Sequence, residues 1–245
     1  MNSTKRLRIF AGPNGSGKST LVKVVENLHI DLGIYINADN LKISLNSDTY
    51  LDFSKLNLTL NLENLKAFFQ DSSLYKLADG DNLLPCLSVT DNQLFLSNQV
   101  SVNDYFTSFL SDYLRNQLLS SCNKFTFETV MSHYSKLEFI QIAKEHGYRI
   151  YLYFVALDNP EMAVARVKAR VKQGGHDVPI QKIMERYERT MNFLLPAVKL
   201  ADRSFIFDNS YSEPKMFAVS DNEKISIVNT DFAPAWFQKY VIDKL

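Results

Sequence analysis

The stretch Leu7-Arg8-Ile9-Phe10-Ala11-Gly12-Pro13-Asn14-Gly15-Ser16-Gly17-Lys18-Ser19-Thr20-Leu21-Val22 decides the reading of this chain. Residues 12–19 satisfy G-x-x-x-x-G-K-[ST] at each fixed position. Residues 7–11 form a short, mostly apolar strand, and residues 20–25 carry helical spacing, which is the strand–loop–helix context the motif requires. Glycines in such a loop let successive backbone N–H groups turn inward around an anion. The helix N-terminus behind them adds roughly half a positive charge. The expectation is a nucleotide-binding loop built from Gly12, Pro13, Asn14, Gly15, Ser16, Gly17, Lys18, Ser19 and Thr20. Lys18 would reach the β- and γ-phosphates of ATP or GTP, and the Ser19 hydroxyl would hold Mg²⁺.

Outward from this loop the hydrophobic period alternates between strand and helix. It predicts an α/β fold, a P-loop NTPase of three α/β/α layers with a mainly parallel sheet of about five strands. The strands are read at residues 7–11, 34–37, 125–129, 149–156 and 204–207. The unbroken apolar run from Ile150 to Val155 suits a central strand buried on both faces. Ser135 to Glu138 reads as a capping box, and Asn159-Pro160-Glu161 as a helix start that Gly174-Gly175 ends. Pro179 opens a long helix, residues 216–219 and 224–228 suggest a hairpin, and Pro234 begins a short amphipathic tail.

The 245 residues suit a single kinase-like domain with a sizeable insertion. Twenty-seven basic side chains balance 27 acidic ones, so no global field attracts nucleic acid or an anionic membrane. Cys86 and Cys122 lack metal-ligand spacing and read as reduced thiols, and no apolar stretch approaches the length of a membrane span; a cytoplasmic protein is expected. Residues 46–105 differ from the rest, with eight acids against three lysines, a net of −5, and no arginine. Their frequent apolar residues argue for an ordered insertion rather than disorder. Within it Leu56, Leu58, Leu60 and Leu62 alternate like a strand, while Leu65, Phe68 and Phe69 fit a helix. The next helix, beginning near Val102, carries Tyr105, Phe106, Phe109, Leu110, Tyr113, Leu114 and Leu118 along one stripe.

A phosphate loop alone does not distinguish kinases from other NTPases. Asp39 ends the second strand, where the carboxyl ends of parallel strands line the ligand crevice, and its carboxylate suits a base for a substrate hydroxyl. Glu128 ends another strand and suits a ligand for Mg²⁺ through water or for a substrate hydroxyl; Thr129, Ser132 and His133 follow it as substrate-contacting candidates. Arg166 and Arg170 share one helix face just before Gly174-Gly175-His176, which reads as a lid over residues 166–180. Arginines supplied there would stabilise the charge of a transferring phosphoryl group and exclude water. Asp208-Asn209-Ser210, after the last parallel strand, reads as lining for a base pocket.

Taken together, Ala11 to Thr20, Ile36-Asn37-Ala38-Asp39, Phe127-Glu128-Thr129, Gly147-Tyr148-Arg149, the run from Arg166 to Pro179 and Asp208-Asn209-Ser210 resemble the zeta toxin-like P-loop kinases, in particular a bacterial branch described as predicted ABC-type ATPases. The resemblance covers roughly residues 7–40 and 102–210. Zeta toxins phosphorylate UDP-N-acetylglucosamine at a sugar hydroxyl, so it implies an ATP/Mg²⁺-dependent kinase acting on a small hydroxylated molecule, with an antitoxin or other protein as partner. It implies that Lys18 binds phosphate, Asp39 is the base, Glu128 holds substrate or metal and Arg166 neutralises the γ-phosphate. His176 stands near the lid proline where the toxins carry an arginine, which leaves Arg170 as the second cation. The competing expectation is a nucleotide-responsive binding module whose insertion engages a protein partner.

Overall fold

The computed structural model describes residues 4–47, 50–97, 102–175, 177–231 and 234–245. In chain order the first half contains β1 (Arg6–Ala11), α1 (Lys18–Asn27), β2 (Ile34–Ile36), α2 (Ala38–Ser47), β3 (Tyr50–Asp52), α3 (Leu62–Gln70), α4 (Gly80–Leu83), β4 (Leu87–Thr90), β5 (Gln93–Leu96) and α5 (Asp104–Ser121). The second half contains β6 (Lys124–Thr129), α6 (Ser135–Glu145), β7 (Arg149–Ala156), α7 (Pro160–Lys172), α8 (Ile180–Leu200), β8 (Arg203–Asp208), β9 (Lys215–Asp221), β10 (Lys224–Ile227) and α9 (Ala235–Tyr240). All five strands expected from periodicity form, within a residue or so of their expected bounds.

The chain divides into two compact units, one of Met1–Gly33 with Thr126–Leu245 and one of Ile34–Phe125. In the first, the sheet runs in the order β10-β9-β8-β7-β1-β6. β1 pairs with β7 and β7 with β8 in parallel, while β9 and β10 add the expected C-terminal hairpin antiparallel to β8. One face carries Leu7, Ile9, Ile150, Leu152, Phe154 and Ile206, all at 0% exposure. Each such side chain contributes roughly 1.5–3 kcal/mol through its removal from water.

Local signals explain both ends of α7. Asn159 caps α7 by accepting from the Met162 N–H at 3.0 Å, with Pro160 in the first turn, and Gly174 follows its end at φ +85°. The capping box expected at Ser135 is not made. Ser135 is the first residue of α6, whose N-cap Tyr134 makes no side-chain cap bond; the Ser135 N–H and hydroxyl both meet Nδ1 of His133 instead.

The second unit is wider than the segment its composition marks, since it takes in β2, α2 and α5. Its sheet is antiparallel in the order β3-β5-β4. Its core is aromatic: Phe69 lies 4.3 Å from Phe109 and 5.5 Å from Phe106, centroid to centroid. The strand expected over residues 56–62 does not form. Leu58 and Leu60 are buried as the alternation implies, but the Leu58 N–H goes to the Phe53 carbonyl oxygen at 3.0 Å, and the Leu58 carbonyl and Leu60 N–H go to a side chain rather than to a neighbouring strand. Asn92 accepts from the Leu60 N–H at 2.8 Å and donates to the Leu58 carbonyl at 2.8 Å. Alternation reported burial correctly and hydrogen bonding wrongly, because one amide can stand in for a strand edge.

Candidate functional site

The phosphate-binding motif occupies the turn between the end of β1 at Ala11 and the start of α1 at Lys18. Gly17 takes the N-cap position in the left-handed region, φ 93° and ψ 24°, which only glycine adopts without strain. A Cβ there would also lie 2.4 Å from Nδ2 of Asn209. Gly15 serves close approach, since a Cβ on it would stand 3.0 Å from the Ala163 carbonyl oxygen and 3.2 Å from Cβ of Arg166. α7 is therefore packed directly on the loop, with Arg166 at the contact.

Lys18 folds its ammonium over the loop, donating to the carbonyl oxygens of Gly12 at 3.0 Å and Pro13 at 2.9 Å. The Ser19 hydroxyl donates to Oε2 of Glu128 at 2.9 Å. The residue expected to hold the metal and the acid expected to assist it, 109 positions apart, are thus hydrogen-bonded. Pro13 is buried, Asn14 is half-buried and Thr20 is exposed. Oγ of the fully buried Ser16 and Oδ1 of Asn14 have no hydrogen-bond partner among the described residues.

Arg166 is half-buried and donates from Nη2 to the Tyr211 carbonyl oxygen at 3.1 Å. Arg170, one turn further along α7, is exposed, and its carbonyl oxygen accepts from Gly175 N–H at 3.0 Å, closing the helix end. His176 lies outside the described residues. Thr129 uses its hydroxyl locally, accepting from the Met131 N–H at 3.0 Å, and Ser132 is half-buried in the loop that follows β6. His133 is exposed.

Asp39 lies in the first turn of α2, in the second unit, with an exposed side chain. It is not the cap of that helix. Asn37 accepts from the Asp39 N–H through Oδ1 at 2.8 Å, and its carbonyl accepts from Leu41 N–H. The capping chemistry belongs to Asn37, which leaves the Asp39 carboxylate clear of that duty.

The residues after β8 do something the sequence did not announce. Asn209 donates from Nδ2 to the Ser16 carbonyl oxygen at 2.8 Å, and its N–H reaches the Ala156 carbonyl oxygen at 3.0 Å. Asp208, 2% exposed, accepts from Nε1 of Trp236 at 2.6 Å and from the hydroxyl of Ser210 at 3.0 Å. The stretch expected to line a base pocket has these side chains committed to bracing the phosphate loop from behind. Nearby, Tyr187 donates to the Leu157 carbonyl oxygen at 2.7 Å, and burial pushes its phenol pKa well up, so it stays a neutral donor. No signal in the sequence pairs Trp236 with Asp208, because neither period nor spacing relates them.

Among the described residues no group of His, Cys, Asp or Glu could by itself hold a metal ion, and no helix is long and apolar enough to cross a membrane. Lys18, the Ser19–Glu128 pair and the polar atoms of Asn14 and Ser16 nonetheless fit a nucleotide with its Mg²⁺, whose coordination relies largely on phosphate oxygens.

Comparison with known proteins adds three findings. The sequence model of the zeta toxin family matches residues 96–212, just under half of the chain. An uncharacterized protein of Haemophilus influenzae is 35% identical over 63 residues, which are 26% of this chain and 45% of the relative. Among solved structures, the AvrRxo1-ORF1:-ORF2 complex with ATP superposes with a TM-score of 0.56 at 16% identity over 98% of this chain, and the same complex with sulphate ions does so with 0.54. This chain covers 64% of that protein's chain. The PezAT chromosomal toxin–antitoxin system of Streptococcus pneumoniae gives a TM-score of 0.50 at 15% identity, over 99% of this chain and 80% of the other. The sequence of residues 96–212 is thus similar to the zeta toxin family, and the fold is similar to those of the AvrRxo1-ORF1:-ORF2 and PezAT structures.

Proposed function

We propose that the chain catalyses ATP-dependent phosphoryl transfer to a hydroxyl of a small molecule, with a nucleotide sugar as the acceptor class to test first. The observation that carries the reading is the Ser19–Glu128 hydrogen bond within a Lys18-bearing phosphate loop. The presence of ATP in the related AvrRxo1-ORF1:-ORF2 complex and the zeta toxin match support it.

In this reading Lys18 exchanges its two backbone carbonyl partners for phosphate oxygens, an exchange of neutral for charged acceptors that strengthens each hydrogen bond. Ser19 and Glu128 would hold Mg²⁺, Glu128 through water, and the ion would supply positive charge against the phosphates. Arg166, held at the loop by the α7–Gly15 contact, and Arg170 behind it neutralise charge on the transferred group. Asp39 accepts the proton of the attacking hydroxyl, and Thr129, Ser132 and His176 contact the acceptor. A protein partner of antitoxin type belongs to the same proposal, on the strength of the toxin–antitoxin system that shares the fold.

The test is transfer of label from γ-labelled ATP with Mg²⁺ to UDP-sugars and to a bacterial metabolite extract. Asp39→Asn is expected to remove transfer while nucleotide affinity stays within a few-fold. Equal loss of both would remove Asp39 from the base role. Absence of any labelled acceptor with intact ATP binding would favour a nucleotide-responsive binding module instead.

A further inference from the structure

The far end of the same sheet carries a second concentration of positive charge. The register places Arg6 beside Arg149 and sets Tyr151 between Arg8 and Arg203 in the row Arg8–Tyr151–Arg203, with the row Phe10–Tyr153–Phe205 next along the strands. Residues in register on adjacent strands project from one face, so four arginines and two tyrosines share a patch at the strand starts. Side-chain geometry agrees. The Arg8 and Arg149 guanidinium groups lie 5.7 and 5.6 Å from the Tyr151 ring centroid, and that of Arg203 lies 5.2 Å from Phe205. Phe10, Tyr153 and Phe205 stack at 4.6 and 4.9 Å and close the patch off toward the phosphate loop.

Two facts set this cluster apart from a solvated basic face. Arg8 is only 7% exposed, and its Nε and Nη1 meet no hydrogen-bond partner among the described residues. Nor do the described residues give Arg6, Arg8, Arg149 or Arg203 a carboxylate partner, although Asp221 stands opposite Arg203 in the strand register. The hydroxyl of the buried Tyr153 lies within the field of Arg8 and Arg203, which oppose the upward pull of burial on its pKa. A buried guanidinium with two unpartnered nitrogens and no carboxylate beside it is costly, and in a folded protein it calls for a counter-charge. All four cations are arginines, whose planar forks match the oxygens of phosphate and carboxylate groups, and the half-exposed rings of Tyr151 and Phe205 offer flat apolar surface beside them.

We infer that Arg8, Arg149 and Arg203, with Arg6 at the margin, form an anion site that takes a phosphate group, separate from the phosphate loop at the opposite end of β1. The phosphate comes either from a free polyphosphate-bearing metabolite or from a single-stranded polynucleotide, and the Tyr151 and Phe205 rings then support the adjoining base or sugar.

The experiment uses the full chain carrying Lys18→Met, which weakens the phosphate loop, and reads thermal melting with sodium tripolyphosphate against sodium chloride at equal ionic strength. A short oligoribonucleotide read by fluorescence anisotropy is the second probe. Tripolyphosphate at about a hundred times its Kd is expected to raise the melting temperature by about 5–10 °C. Adding Arg8→Met or the exposed Arg203→Gln should abolish the rise, and Arg8→Met alone should not lower stability, since it removes an unpaired buried charge. Binding of only the oligoribonucleotide, lost in the same two variants, would support the site and identify polynucleotide phosphate as its source. No response to either probe, or a response that survives both arginine changes, overturns the inference.

Discussion

Lys18 spends two hydrogen bonds on the carbonyl oxygens of its own loop, so removing its ammonium should disturb the fold little and nucleotide binding a good deal. A charge-assisted contact is worth about 1.5–3 kcal/mol, so Lys18→Met is expected to weaken ATP binding roughly 10- to 100-fold, measured by calorimetric titration. Gly17 makes a different demand. Alanine there meets a left-handed φ and a Cβ 2.4 Å from Asn209, and Gly17→Ala should lower stability by about 1–3 kcal/mol in a denaturant melt. Because part of that cost is the clash, Asn209→Ala should recover some of it, and the double variant should be less destabilised than the two singles predict. At this scale the motif was fully legible in the sequence, since its residues are contiguous. The Asn37 cap that leaves Asp39 clear could be suspected from residue type. The bracing by Asn209 could not, because it joins positions nearly two hundred residues apart.

At the scale of elements, the short C-terminal helix α9 proves to be part of the phosphate-loop support. Trp236 on α9 donates to Asp208 at the end of β8, and the next residue, Asn209, holds the loop. Trp236→Phe keeps most of the apolar surface and removes one hydrogen bond to a buried carboxylate. It should cost about 1.5–3 kcal/mol and lower the melting temperature by roughly 3–10 °C. Tyr240→Phe, which removes a 2.6 Å bond to the more exposed Glu188 on α8, is expected to cost less in the same melt. In the second unit, Phe69 is fully buried among Phe106, Phe109 and Tyr75, so Phe69→Ala should cost about 3–5 kcal/mol. Strand and helix positions were readable because each buries a regular stripe. Residues 56–62 misled because the same alternation of buried leucines served a loop pinned by Asn92.

For the whole molecule, a ligand that binds only the folded state stabilises it by mass action. Saturation with ATP and Mg²⁺ at a hundred times the Kd should add about 2.7 kcal/mol, or roughly 5–10 °C in melting temperature. Lys18→Met should show a much smaller rise at the same nucleotide concentration, and an undiminished one would place the stabilising site elsewhere. The unit of residues 34–125 takes in more than its acidic composition marked, because composition detects a change of surface while packing also recruits apolar helices such as α5. By itself the sequence determined the phosphate loop, the alternating α/β architecture and the candidate acids and arginines, since these depend on local period and residue type. Only the tertiary structure decided that Ser19 meets Glu128, that Asn209 and Trp236 hold the loop, and that arginines scattered from position 6 to position 203 form one patch. Those outcomes depend on strand order and register, which bring together residues that no sequence period relates.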